Sequence, residues 1–413
     1  MSTPTTADGT GRAVRSDPRV PIRIILILGG LSAFAPLSID MYLPALPRLT
    51  TELSTSASAA QLSLTACLVG LAAGQLLAGP LSDVHGRRRP LLVGLICYSV
   101  SSVLCAFAPT VWVLVALRLV QGLSGAAGVV LSRAVVRDLR SGNAAAKLFA
   151  ALMLVNGIAP VLAPTIGGQL LRFTSWRGVF VVLTVVGAGL LAAVLAGLPE
   201  THGRDRRRGG GLADTGAAFR VLVTDRRFLG LAVASGCVSG AMFAYISGSS
   251  FVLQDVYGLS AQLFGLVFGV NAVGIVACGQ LSARLVDRFG PGPLLRVGGY
   301  QCLAGAVLLL VAVLTGAGLA LVLPALFLVV SSVGLVSPNA TTLALAEYGR
   351  TAGSAAAVLG VLQFVVGGAV APLVGIAGTG TGVPMAAVIA ALAAATVVLL
   401  ATVARPGRAG TAG

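Results

Sequence analysis

The sequence predicts an all-α membrane protein with twelve transmembrane helices in two pseudo-symmetric six-helix bundles. Three observations carry that expectation. First, 56% of the 413 residues are hydrophobic and only 10% are charged. A water-soluble fold cannot hide that much apolar surface, so the solvent for most of the chain is lipid. Second, the polar residues gather in short breaks between twelve apolar runs. Each run approaches or exceeds the ~20 residues that a ~30 Å hydrocarbon core demands. Third, short patterns in the first half of the chain recur in the second.

Taken in order, the runs are 22–46, 58–81, 90–108, 110–133, 144–170 and 176–198, then 228–253, 261–285, 293–315, 318–345, 352–376 and 382–404. Bilayers admit only helices or closed barrels, and long runs without strict alternation are helices. The polar stretch 1–21 is expected as a cytoplasmic tail. The run behind it is far longer than a signal-peptide core and reads as an uncleaved first helix. The longest polar interruption, 199–227, follows the sixth run with His202, a string of arginines and Gly209–Gly211. It is expected as a cytoplasmic linker between an N-terminal bundle, 22–198, and a C-terminal bundle, 228–404, with a short tail at 405–413.

Charge sets the orientation. Of the 28 basic residues, 24 fall on segments that share a side with the N-terminus, three (Arg48, Arg172 and Arg177) on the other side, and Arg118 inside a run. The positive-inside rule then puts both termini in the cytoplasm. A net charge of +15 would ordinarily raise nucleic acid as a partner, but these charges sit in turns between apolar runs rather than along a helix face, which excludes that class. The six cysteines all lie within apolar runs, with no CxxC spacing and no His nearby, so they read as small packing residues rather than disulfides or metal ligands. No P-loop, GxSxG or HExxH motif is present, which argues against an ATP-driven pump or a hydrolase.

The repeats fall on equivalent helices. Gly74-x4-Gly79-x-Leu81-Ser82 returns as Gly274-x4-Gly279-x-Leu281-Ser282, and Ala163-Pro164-x2-Gly167 returns as Ala371-Pro372-x2-Gly375. Such internal duplication marks secondary transporters, whose substrate site lies at the repeat interface near the bilayer midplane.

Candidate functional residues are those that lipid should exclude. Asp40 in the first run and Arg118 in the fourth each cost at least ~2.5–3.5 kcal/mol at the bilayer centre, so each needs a partner or a water-filled cavity. Asp40 lies ~24 Å along an outward helix and Arg118 ~10 Å into an inward one, which places both in the outer half at nearly one level. They are candidates for a charge pair facing one cavity, with Asp40 as the carboxylate that exchanges a proton. The alternatives are an acid snorkelling to water beside Tyr42 and an arginine bonded to carbonyls of helix one. Asn156-Gly-Ile-Ala-Pro160-x3-Pro164-x2-Gly167-Gly168 predicts a kinked helix that packs closely on a neighbour and bends as a cavity opens. Tyr42, Gln121, Asn156, Asn271, Asn339 and Gln363 are candidate cavity residues, with interhelical hydrogen bonding as the competing role. The stretch Gly79-Pro-Leu-Ser-Asp83-Val-His-Gly86-Arg87-Arg88-Arg89-Pro90 predicts a tight, solvent-facing basic turn, with Asp83 in local ion pairs.

These stretches resemble the major facilitator superfamily, and within it the twelve-helix drug:proton antiporters of the Bcr/CflA type. Gly79–Arg89 is similar to the superfamily's loop 2–3 signature, although Val84 and His85 stand where that signature usually has a basic residue. In the second half, Ala283 stands where the repeat wants an acid, with Asp287 and Arg288 one turn later. Leu114-x3-Arg118-x2-Gln121-Gly122 is similar to the helix-four signature. Ala163-Pro164-x2-Gly167-Gly168 is similar to the helix-five antiporter motif, and Pro36-Leu-Ser-Ile-Asp40-Met-Tyr-Leu-Pro44-Ala-Leu-Pro47 to the helix-one motif of these exporters. Ser32 occupies a position where some related exporters carry a second acid.

The resemblance implies proton coupling through Asp40 and Arg118, and a conformational latch at Gly79, Asp83, Gly86 and Arg87–Arg89. It further implies export, by alternating access, of small, fairly apolar drugs of the chloramphenicol or bicyclomycin type from the inner membrane. The partners expected are the drug, protons and the bilayer, with the proton gradient in place of any cofactor and a monomer as the working unit. A carrier of an endogenous metabolite, exporter or proton symporter, is the alternative.

Overall fold

The computed structural model describes residues 21–140, 142–203, 224–346, 348, 352–376, 378 and 380–403. Twelve helices in it are long and apolar enough to cross a membrane. They are α1 (Ile22–Glu52), α2 (Ala57–His85), α3 (Arg88–Ala106), α4 (Val111–Leu139), α5 (Gly142–Leu170) and α6 (Trp176–Gly197) in the first half. The second half holds α7 (Arg226–Val256), α8 (Ala261–Phe289), α9 (Pro291–Leu314), α10 (Leu319–Leu345), α11 (Ala352–Ile376) and α12 (Val383–Val403). No strand occurs among the described residues. The face at which α1 starts and α12 ends is called the terminal face below, and the opposite one the far face.

Local chemistry sets the helix ends. The side chains of Ser56, Thr110, Ser175, Asp225 and Ser260 cap the first turns of α2, α4, α6, α7 and α8 by accepting backbone N–H bonds, which satisfies donors that have no intrahelical partner. Gly86 (φ 86°) and Gly290 (φ 75°) close α2 and α8 in a backbone region where a side chain is strained. Both helices are 29 residues long, so Asp287 and Gly290 stand where Asp83 and Gly86 stand. Counted from the closing glycine, Asp287 rather than residue 283 stands at the position of Asp83.

Several boundaries differ from expectation, and two of them bear on the site. The first helix runs on to Glu52 because Leu43–Ala45 form a 3-10 turn, and Pro44 and Pro47 sit at the starts of short helical segments. There, proline's missing N–H costs nothing. The linker ends before 227, since α7 begins at Arg226 behind its Asp225 cap. Its stretch 204–223, the tail 1–20 and the stretch 404–413 lie outside the described residues.

Within each bundle the packing repeats: α4 packs on α2 and α3, and α10 on α8 and α9. Small residues make this close approach feasible, as lipid-embedded helices require. A Cβ on Gly70 would sit 2.3 Å from the Leu119 carbonyl oxygen on α4, and one on Gly274 2.7 Å from the Phe327 ring on α10. Between the bundles, α5 packs on α8 and α2 on α11.

Candidate functional site

The two bundles meet tightly in the far half. A Cβ on Gly167 would lie 2.1 Å from the Met41 carbonyl oxygen, one on Gly168 2.5 Å from that of Ala261, and one on Gly265 2.6 Å from that of Pro164. These glycines clamp α5 to the break in α1 and to the start of α8. Seven side-chain hydrogen bonds cross the same seam: Thr165 to Gly265, Gln262 to Gly168, Ser58 to Pro372, Thr65 to Gly368, Gln61 to Ser247, Ser250 to Leu43 and Gln254 to Pro44, each donating to a carbonyl oxygen.

Directly beneath this seal lies a cavity of about 260 Å³. Its walls come from α1 (Pro36, Ile39, Asp40), α5 (Asn156, Pro160), α7 (Ser239 to Ile246), α10 (Val333, Ser337) and α11 (Gln363, Phe364). On each helix that runs from the terminal to the far face, the lining residues precede the sealing ones. On α1, Asp40 comes before Leu43; on α5, Pro160 comes before Pro164; on α7, Ile246 comes before Ser247; on α11, Gln363 comes before Gly368. The cavity therefore sits near mid-height with its far-face exit closed. A smaller cavity of about 70 Å³ continues behind Asp40, Pro160 and Met242 to Tyr245 and Phe268.

Asp40 is 6% exposed and borders both cavities. Among the described residues its carboxylate has neither an ion pair nor a side-chain hydrogen bond. A membrane carboxylate with no fixed counter-charge is free to exchange a proton or meet a cationic ligand in the cavity.

Arg118 is not its partner. The guanidinium is 0% exposed inside the N-terminal bundle, stacked near Tyr42 (5.1 Å) and Phe180 (5.7 Å). Its Nη1 donates to Gln121 Oε1 at 2.6 Å, and Gln121 Nε2 donates to Ser102 Oγ at 2.6 Å. Among the described residues the Nε and Nη2 groups of Arg118 have no acceptor. Tyr42, whose hydroxyl meets Ser63 at 3.2 Å, lies two residues past Asp40. Two helical steps turn a side chain by about 200°, so α1 presents Asp40 to the cavity and Tyr42 to Arg118. The two charges therefore face different surroundings, Asp40 the cavity and Arg118 the interior of its own bundle.

The remaining cavity candidates divide. Asn156 and Gln363 line the cavity. Gln121 belongs to the Arg118 network, and Asn339 donates to Ser282 Oγ at 2.7 Å and to the Leu335 carbonyl. Asn271 reaches the site indirectly by donating to the Tyr245 hydroxyl at 2.9 Å. Tyr245 was not singled out from the sequence, where its only signal is a lone phenol in a run of small residues.

The basic turn is less solvent-facing than expected. Arg87 is buried, with Nη1 bonded to Asp83 (2.5 Å) and Ser82 (2.6 Å) and Nε to Asp138 on α4 (2.9 Å). Burial works against its charge, but the hydrogen bonds and charges of Asp138 and Asp83 outweigh that and raise its pKa above the ordinary arginine value. Glu200 accepts from the backbone N–H groups of Arg87 and Arg88, at 2.8 and 3.2 Å. Arg88 donates to the Leu195 carbonyl on α6, and Arg89 is exposed. A Cβ on Gly79 would meet nothing within 4 Å, whereas Gly86 is required by its φ.

Comparison with known proteins gives a consistent result. A family profile described as Major Facilitator Superfamily matches residues 28–372. The chain is 40% identical over 369 residues to an uncharacterized MFS-type transporter, YdgK, of Bacillus subtilis, covering 89% of this chain and 92% of that one. It is 34% identical over 362 residues to a bicyclomycin resistance protein homolog of Haemophilus influenzae, covering 87% and 91%. To a chloramphenicol resistance protein of Pseudomonas aeruginosa it is 33% identical over 289 residues, covering 69% and 67%. Among solved structures, the nucleoside transporter NupG superposes with a TM-score of 0.74 at 12% identity, over 92% of this chain and 98% of that one. The xylose transporter XylE from E. coli does so with a TM-score of 0.70 at 16% identity, over 92% and 97%. At these identities the structures speak for the fold alone.

Proposed function

The chain belongs to the major facilitator superfamily and is a multi-pass membrane transporter rather than an enzyme, and we propose that it is a proton-coupled antiporter exporting small, fairly apolar antibiotics. The observation that carries this reading is Asp40, a single unpaired carboxylate on the wall of an otherwise largely apolar cavity between the two bundles. A cavity of that kind binds by shape and apolar contact, with few directional bonds. The names of the Haemophilus and Pseudomonas relatives point to the same substrate class.

With the termini in the cytoplasm, the terminal face is cytoplasmic and the sealed far face is external. The described state then receives its substrate from the cytoplasm, with deprotonated Asp40 available to the cavity. Rocking of the bundles breaks the far-face seam, a proton arriving from outside neutralises Asp40, and the compound leaves. Return of the proton to the cytoplasm resets the carrier. Arg118 acts as a positioning residue, since it grips Tyr42 and so fixes the break in α1 just past Asp40. Asp83 and Arg87–Arg89 latch the cytoplasmic ends of α2 and α3, now with Asp138 and Glu200 added to the set.

The test is accumulation of a panel of antibiotics in a host lacking its own exporters. The chain should lower accumulation of at least one compound. Asp40→Asn and a protonophore should each abolish that effect. An inserted Asp40→Asn variant that exports as well as its parent would sink the proton assignment, and inactivity toward every compound would favour a metabolite carrier.

A further inference from the structure

The smaller cavity, of about 70 Å³, brings the two bundles together around Asp40. Asp40 and Pro160 line it from the N-terminal bundle, and Met242, Tyr245 and Phe268 from the C-terminal one. Tyr245 is buried, and α8 fixes both its ring and its hydroxyl. Phe268 stacks on the ring with centroids 5.2 Å apart and planes 23° from parallel. Asn271 Nδ2 donates to the hydroxyl at 2.9 Å. That bond uses the phenol oxygen as an acceptor, so the phenol's own hydrogen remains to be donated. Two acceptors lie near it, Ser249 one turn along α7 and Asp40 across the cavity. Of a neutral hydroxyl and a carboxylate, the carboxylate is the stronger acceptor.

Rival charges are kept away from this pair. Among the described residues, Asp40 and Tyr245 are the only ionisable side chains lining either cavity. The groups that approach α1 from α2, α3 and α4 do so behind it. Tyr98 meets Ser38, two residues before Asp40, and Arg118 stacks near Tyr42, two residues after, with Cys67 and Cys105 around that guanidinium. The seam just beyond is neutral, since Ser250 and Gln254 of α7 donate to the carbonyls of Leu43 and Pro44 on α1. Protons do not release bonds of that kind. Asp40 brings to this contact between α1 and α7 a charge that a proton removes.

We propose that Tyr245, oriented by Asn271, is a positioning residue that ties deprotonated Asp40 to the C-terminal bundle through water in the small cavity, and so holds the far half shut until a proton or a substrate takes the carboxylate. The tie rests on the proton-coupled reading of Asp40. A cavity of this volume has room for about two waters, and the carboxylate and the phenol give them polar partners. Water bridges hold nearly as well as direct bonds, and a bond to a charged acceptor is roughly twice as strong as one to a neutral acceptor. Exchange follows from that difference. An empty, deprotonated carrier keeps facing the cytoplasm, which prevents it from returning outward without cargo and leaking protons. Once Asp40 is neutralised or engaged by a substrate, the phenol turns to Ser249 and the bundles can rock.

The experiment uses the full chain in nanodiscs, in a background lacking the native cysteines. Spin labels go on Phe173→Cys and Leu314→Cys, exposed positions at the far ends of the two bundles. Double electron–electron resonance then reads the distance between them as pH is lowered. The parent should be closed in alkaline buffer and open on acidification, whereas Asp40→Asn should be open throughout. Tyr245→Phe keeps the ring and its stack on Phe268. It should raise the open fraction in alkaline buffer about tenfold, as expected for loss of one bond to a charged group, and leave the acid value unchanged. Asn271→Leu should act in the same direction to a smaller degree. In the Asp40→Asn background, Tyr245→Phe should add nothing. A tyrosine that only supports the fold would shift the open fraction equally at every pH and in both backgrounds, and that result would overturn the tie. So would a parent indifferent to pH. A pH response that Asp40→Asn abolishes but Tyr245→Phe leaves intact would overturn the tie alone, whereas a response that survives Asp40→Asn would sink the proton assignment itself.

Discussion

Asp40 and Tyr42 show how much two residues can separate on one helix. The first meets the cavity and the second meets Arg118, because each helical step turns the chain by about 100°. Inside its bundle Arg118 meets one carboxamide and two ring faces. Gln121→Ala removes its only side-chain acceptor among the described residues and should lower stability by roughly 1–2 kcal/mol, read as a drop in unfolding temperature in detergent. Asp40→Asn should leave that temperature nearly unchanged, since no fixed partner is lost, while stopping proton movement in liposomes. A large loss of stability in Asp40→Asn would mean that the carboxylate has a structural role instead.

Helix α5 turns two prolines and two glycines into a working part. Pro160 and Pro164 remove N–H donors from the helix, which frees the carbonyls of Asn156 and Pro160 from their usual partners. Gly167 and Gly168 then allow backbone contact on both sides. Gly168→Val should splay α5 from α8 and raise labelling of a cavity cysteine by a reagent added at the far face. Unchanged labelling would show that the seam survives without that contact. At the start of α7, the Tyr348 hydroxyl, burial and two backbone N–H bonds act on Asp225, and the net effect is a carboxyl pKa below the usual value. A lowered carboxylate stabilises fully above its unfolded value near 3.9 and loses that contribution as pH falls through the folded value. The difference in unfolding temperature between the parent and Tyr348→Phe should therefore be constant near neutral pH and shrink below about pH 4. A difference that grows on acidification would contradict this.

For the whole molecule, alternating access requires the far-face seam to open in every cycle. A Cβ at Gly368 would lie 3.6 Å from the Thr65 side chain, so Thr65→Cys with Gly368→Cys, in a background lacking the native cysteines, should form a cross-link. Transport should stop on oxidation and return on reduction. Full transport by the cross-linked protein would exclude a rocking motion at this seam.

The sequence alone determined the twelve helices, their division into two halves and the identity of the costly residues. Those properties depend on local hydropathy, on charge in the turns and on the price of burying a charge in lipid, and each can be counted along the chain. It also carried the family, through motifs in the first 170 residues. The direction each side chain faces was decided only by tertiary packing. Depth along a helix follows from a 1.5 Å rise and can be counted along the chain. Rotation depends on where a helix breaks and which neighbour it touches, and the turn at Leu43–Ala45 belongs to packing against α5, α7 and α8. Asp138, Glu200 and Tyr245 escaped notice for the same reason. Their partners lie far away in sequence, and a three-dimensional contact has no period to read.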